Sequence, residues 1–197
     1  MGKPLWLLAD TRRAESALAD LLAFETPGND RTYGSYGRVG GSRLNRRTHD
    51  AVLVAARVSG WGEPHITQGG LNSGAVAASA RTHDGLDVVD VSIAGRGRSE
   101  VFDLVRAGMD CGIVFFVRGT PWDRADDRMA RHVHGVMVGA QHAHPDTRAQ
   151  LYDARYGYVH GGGGLAGNRS YRWFGPARRP LVEWKDSRHN PANAGRA

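Results

Sequence analysis

A chain of 197 residues is long enough to bury one real core, and its single cysteine, Cys111, excludes an internal disulfide and a cysteine-built zinc site. The formal net charge is +6, nearly all of it from arginine; this points to an anionic partner such as nucleic acid, a membrane surface or the bacterial wall, or to no more than a solvated arginine-rich surface. No apolar run is long enough to span a bilayer, and Leu5-Trp6-Leu7-Leu8-Ala9 is too short for a signal h-region, so the expectation is synthesis in the cytoplasm without a standard signal peptide.

In chain order, residues 10–24 read as an amphipathic helix with Ala14, Leu18, Leu21 and Leu22 on one face. Residues 26–42 are rich in Gly, Ser, Asn, Tyr and Arg and read as a linker. Asn45 caps a second helix that runs to about Val58 and closes at Gly60, with His49 as a packed helix residue. A short strand from His65 to Gln68 leads into a glycine-rich turn, Gly69 to Gly74. A loop carrying His83 follows, then a strand from Asp87 to Ile93. Ser99 caps a helix to Ala107 with Val101, Leu104 and Val105 inward and Gly108 at its end. Ile113 to Val117 is a buried strand, with Cys111 as a small apolar residue before it. A polar loop from Thr120 to Ala130 precedes a strand containing His132-Val133-His134-Gly135. Pro145 opens a last helix ending near Tyr156.

Gly161 to Gly164 reads as a flexible break; neither a lysine-serine nor a dinucleotide pattern accompanies it, so it is not a phosphate loop. The end of the chain carries Trp173, Phe174 and Trp184 among arginines. It reads either as a strap packed on the domain or as a tail that binds the wall or a partner.

Two pieces of this chain carry chemistry. One is Ser79-Ala80-Arg81-Thr82-His83-Asp84-Gly85-Leu86-Asp87-Val88-Val89-Asp90, with a histidine and an aspartate seven residues apart. The other is His132-Val133-His134, whose two imidazoles lie on the same side of a strand. Together they offer imidazoles and a carboxylate, the set with which a zinc ion is held by three protein groups while a fourth position stays open. Either piece alone is common by chance.

These two pieces, with Ile66-Thr67-Gln68-Gly69-Gly70-Leu71-Asn72 before them, resemble the zinc D-Ala-D-Ala carboxypeptidase and endopeptidase family. The similarity is to the branch of actinobacteria and their phages that cuts peptidoglycan peptides, and it covers roughly residues 43–140. The Hedgehog signalling domain shares that fold and a similar His-x-His strand. The resemblance implies an α+β domain, a small antiparallel sheet with flanking helices. The chain then divides into an N-terminal helix and linker (1–42), a zinc peptidase-like domain (43–167) and a basic aromatic tail (168–197).

The resemblance also implies the site. Zn²⁺ would be held by His83, Asp90 and His134, since the second histidine of His-x-His is the family's ligand, with Asp87 as the alternative carboxylate. His132 would face the substrate carbonyl and stabilise the oxyanion. The ion would acidify a water and polarise the scissile carbonyl. Gln68, Ser79 and Arg81 fall at substrate-cleft positions, Arg81 standing where the family has a serine, and Ser79 and Thr82 offer hydroxyls behind the ligands.

One family part is missing. A glutamate normally precedes the last histidine and relays protons, yet none lies between Glu100 and Glu183. Asp126 or Asp127 in the preceding loop is the substitute, with Asp127 favoured; the alternative is two solvated acids and impaired or absent catalysis. The expected function is a zinc metallopeptidase cutting peptidoglycan peptides at the cell wall, as an endolysin released by a phage would. The second reading is a non-catalytic wall-binding or virion protein of the same fold. Nucleic-acid binding rests on charge alone.

Overall fold

Asn45 starts the first helix of the domain as its type and position suggest. Its side chain accepts from the Thr48 N–H at 3.0 Å, and helix α1 (Arg46–Val58) follows until Gly60, at φ +79°, turns the chain away. A computed structural model describes residues 32–33, 43–72, 80–119, 130–165, 181–190 and 193. The expected helix over 10–24 and the loop over 120–130 lie outside these, apart from Ala130, as do Ser79, Trp173 and Phe174.

The described residues form an α+β fold. The strands are β1 (Thr32–Tyr33), β2 (Leu44–Asn45), β3 (Ile66–Gln68), β4 (Val88–Ser92), β5 (Ile113–Arg118) and β6 (His132–Met137). The other helices are α2 (Arg98–Asp110) and α3 (Pro145–Tyr152). β1 and β2 form a two-stranded ribbon, and the main sheet is antiparallel throughout in the order β3-β4-β6-β5.

Alternation along the strands divides the sheet into two faces. Val89 and Val91 of β4, Ile113, Phe115 and Val117 of β5, and Val133 and Met137 of β6 pack with α1 and α2 in the larger core. Val114, Phe116 and Val136 face the other way, into a smaller cluster with Leu151 of α3 and Tyr158. That second face also carries Asp90 and His134, which sit opposite each other in the β4–β6 register. A β-strand in contact with helices on one side and α3 on the other is buried over its whole length, as β5 is.

Three helix limits differ from expectation. α2 begins after Gly97, not at Ser99, because the Glu100 carboxylate accepts from the Gly97 N–H at 2.8 Å. It continues past Gly108, which lies inside the helix under the Phe115 ring. α3 stops at Tyr152 rather than Tyr156: Asp153 is extended, and its carbonyl accepts from Gly157 N–H in a tight turn.

The glycine run Gly161–Gly164 is buried, contrary to the flexible break expected of it. Gly164 lies against the Phe116 ring, and the Arg118 guanidinium donates to the Gly163 carbonyl at 2.7 Å. Lack of side chains here serves close packing, not freedom. The described part of the C-terminal segment, residues 181–190, is a packed strap: Trp184 lies on the larger core, Leu181 on the smaller, and the Ser187 hydroxyl donates to the Asp110 carbonyl. Among the described residues no helix is long and apolar enough to cross a membrane.

Candidate metal centre

The centre is assembled from three segments that the sheet and its glycines bring together. Asp90 comes from β4 and His134 from the facing position of β6. His83 comes from the loop before β4 and is fully buried. That loop is held by very close backbone approaches. A Cβ on Gly70 would strike the Gly85 carbonyl, and one on Gly85 would strike the backbone of Ala143 and His144, so only glycine fits at either place. The three described non-glycine residues with left-handed φ, Leu71, Arg81 and Asp87, all flank this loop.

Asp87, the alternative carboxylate, is used elsewhere. Its two oxygens accept from Asn45 Nδ2 at 2.7 Å and from the His142 N–H at 3.2 Å, tying the cap of α1 to the loop before α3. Asp90 is the acid that meets the histidines.

His83 Nδ1 lies 2.9 Å from the Gly69 carbonyl, which can only accept, so Nδ1 carries the hydrogen and Nε2 faces inward. His134 Nε2 lies 2.7 Å from Gln150 Oε1 on α3, which leaves Nδ1 as its inward atom. The inward atoms form a small triangle with Asp90 Oδ1: 3.1 Å between His83 Nε2 and His134 Nδ1, 3.3 Å from His83 Nε2 to Oδ1, and 2.8 Å from His134 Nδ1 to Oδ1. A tetrahedral ion with bonds of about 2.0–2.1 Å needs edges of about 3.3 Å, so relaxation of a few tenths of an ångström seats one. His83, Asp90 and His134 are the described residues that group in this way, and the group could hold a metal ion.

Electrostatics favour a cation here. Burial raises the pKa of the Asp90 carboxyl, but the charge on His83 and the close approach of the His134 and His83 ring nitrogens to its oxygen outweigh it and hold the group well below the usual carboxylate range. Burial likewise lowers that of His83; the Asp90 charge and hydrogen bond, with the Gly69 carbonyl, more than compensate and leave His83 above its ordinary value. His134 is pushed down, chiefly by burial. One buried carboxylate thus faces two imidazoles that cannot both turn bare nitrogens on each other without a positive charge between them, either a proton or a metal ion.

His132 sits on the same side of β6, opposite Ser92 and Arg118, at the half-exposed edge of the centre. Its Nδ1 donates to the Ala130 carbonyl at 2.7 Å, and its Nε2 is 3.9 Å from Asp90 Oδ2. Gln68 is buried and lies opposite Asp90; a register shift between Ile66 and Gln68 carries it there while Ile66 joins the larger core. Arg81 reaches outward, where its guanidinium pairs with Asp146 at 2.7 Å. Ser79, Asp126 and Asp127 lie outside the described residues.

Sequence reasoning did not find Gln150. A signal existed: Pro145 opens a short helix in which Thr147 and Gln150, spaced by three, share one side with Leu151, and a polar pair on a buried helix side must have partners. Fold and site together define a small α+β protein with a buried two-histidine, one-aspartate group fit for a metal ion. No family model, curated protein or solved structure matches the chain.

Proposed function

We propose that the protein is a zinc-dependent peptidase that cuts a peptide amide of bacterial peptidoglycan, in a fold of the Hedgehog and D-Ala-D-Ala peptidase type. The observation that carries this reading is the convergence of His83 Nε2, Asp90 Oδ1 and His134 Nδ1 at 2.8–3.3 Å, three neutral or anionic donors with the less buried His132 beside them. Two imidazoles and one carboxylate are a donor set of catalytic zinc. The same set also serves iron(II) in oxygenases, and the resemblance of the His83–Asp90 and His132–His134 segments to zinc peptidases favours zinc. The ion would supply Lewis-acid activation of water and of the scissile carbonyl.

The chain's own groups divide the remaining work. His132, held through Nδ1 by Ala130, has Nε2 3.9 Å from Asp90 Oδ2, from where in its protonated form it would donate to a developing oxyanion. Gln68, beside Asp90, offers polar atoms to a peptide lying along the edge strand β3. Proton relay falls to Asp127. The excess positive charge draws the protein to an anionic wall polymer, reached after release from the cell in which it is made.

The missing glutamate favours the second reading, a wall-binding or virion protein that keeps the metal centre without turnover. Clearing of purified cell-wall suspensions separates the two. The peptidase reading expects clearing by zinc-loaded protein, its loss with chelator and its return with zinc. Binding to walls without any new amino termini would select the second reading.

A further inference from the structure

The buried side of α3 is polar where a helix of a small domain normally presents apolar residues. Thr147 and Gln150 are 0% and 2% exposed, and only Leu151 beside them joins the smaller apolar cluster. Both polar residues are directed at the metal centre. The Thr147 hydroxyl donates to the carbonyl of Thr82, the residue before His83. Gln150 Oε1 meets His134 Nε2 at 2.7 Å.

A neutral imidazole carries one hydrogen, and the partner of one nitrogen decides which nitrogen remains bare. An amide oxygen has no hydrogen to give. With Oε1 toward the ring, Nε2 must carry the hydrogen, and Nδ1 is left facing His83 and Asp90. Turn the amide over, and its NH₂ would donate to Nε2; the hydrogen would move to Nδ1 and be given to Asp90 Oδ1 at 2.8 Å. In that arrangement His134 leaves the ligand set and becomes a plain structural hydrogen bond. One amide orientation therefore separates a ligand from a non-ligand.

We propose that Gln150 is a positioning residue of the metal centre: its amide oxygen selects the His134 tautomer that presents Nδ1 to the ion, while Thr147 on the same helix side fixes the backbone behind the facing ligand His83. The proposal rests on the metal reading of the site and adds to it the residue that makes His134 a ligand. A neutral amide also suits the site better than a carboxylate. A second buried anion beside His134 would hold that ring as an imidazolium, and a metal ion would then have to displace one more proton.

The test reads the imidazole nitrogens directly. In the zinc-loaded parent protein, long-range ¹H–¹⁵N correlation should show His134 Nε2 carrying hydrogen, and ¹¹³Cd substitution should couple the metal to Nδ1. Coupling to Nε2, or a bare Nε2 in the loaded protein, overturns the proposal while leaving the metal reading intact. Zinc dissociation constants, taken by competition with a chromophoric chelator, provide the second arm. Gln150→Leu should bind about 10- to 100-fold more weakly than the parent, the usual cost of losing a hydrogen-bond partner behind a ligand. Gln150→Glu, which keeps an oxygen acceptor for Nε2, should couple the metal to Nδ1 as the parent does, with a zinc affinity below the parent's because one more proton must leave; coupling through Nε2 in this variant overturns the proposal. An unchanged constant in Gln150→Leu overturns the proposal. If that variant does not fold, the spectra of the parent still decide. A parent that takes up no zinc overturns the metal reading, a result distinct from uptake through the wrong nitrogen.

Discussion

Asp90 Oδ1 is the atom on which both imidazoles converge, and His132 approaches the other oxygen of the same carboxylate. Its neighbours fix what each variant should do. His132 stands 3.9 Å from Asp90 Oδ2 and outside the ligand triangle, so under the peptidase reading proposed above His132→Ala should retain the metal and lower hydrolysis by about 10² to 10³, the effect of one oxyanion donor. Loss of the metal in that variant would make His132 a ligand instead. Asp127→Asn should lower hydrolysis at least about 100-fold with the metal still bound, in line with general acid–base catalysis; parental rates in both Asp127→Asn and Asp126→Asn would remove the loop acids from the mechanism.

The metal must also displace a proton. His83 holds its proton above the ordinary imidazole range because of Asp90, so in the metal-free protein the proton competes up to a pH above that range. Apparent metal affinity should therefore rise with pH and level off only after His83 has lost its proton, with protons released on binding below that point. A flat affinity from pH 5 to pH 8 would contradict the assignment of His83 as a ligand.

At the scale of elements, the centre depends on how closely the His83 loop can lie against its neighbours. Gly70 pairs with Arg43 by two backbone hydrogen bonds of 2.7 Å and leaves no room for a Cβ beneath the Gly85 carbonyl. Gly70→Ala should cost about 1–3 kcal/mol in stability, the usual effect of overpacking, and should weaken metal binding as His83 moves. Thermal melts in chelator and zinc titrations measure the two separately; a variant unchanged in both would mean that the loop is not clamped as described.

The elements show what was legible in the sequence. Asn45 as a cap, the Val-rich β4, the run Ile113–Val117 and the pair His132–His134 all carry strong local patterns, and the structure has the cap and strands there. The triad could be named because the His83–Asp90 and His132–His134 segments resemble those of zinc peptidases, in which the second histidine of the pair is the ligand; spacing alone would have left His132 and Asp87 open. Gln150 escaped because the polar spacing of Thr147 and Gln150 marks a helix side without naming the partner it meets on another element, and Gly69 because it acts through a carbonyl that no side chain announces. The glycine run 161–164 misled because composition reports freedom in the unfolded chain and says nothing about burial in the folded one.

For the whole molecule, a metal ion held by this group would cross-link the loop before β4, β4 itself and β6, and α3 is tied to the group through Gln150. An ion that binds only the folded state stabilises it by mass action, so the melting temperature should climb with free zinc and fall with chelator. The strap over residues 181–190 packs at the end of α2, on Asp110 and Gly112, and against Gly139 after β6. The measurement that bears most directly on the central claim is calorimetric titration of metal-free protein with zinc, for the parent and for a His83→Ala, His134→Ala variant. The account predicts one tightly held ion per parent chain and none in the variant. Equal binding by the two, or no binding by the parent, would contradict it.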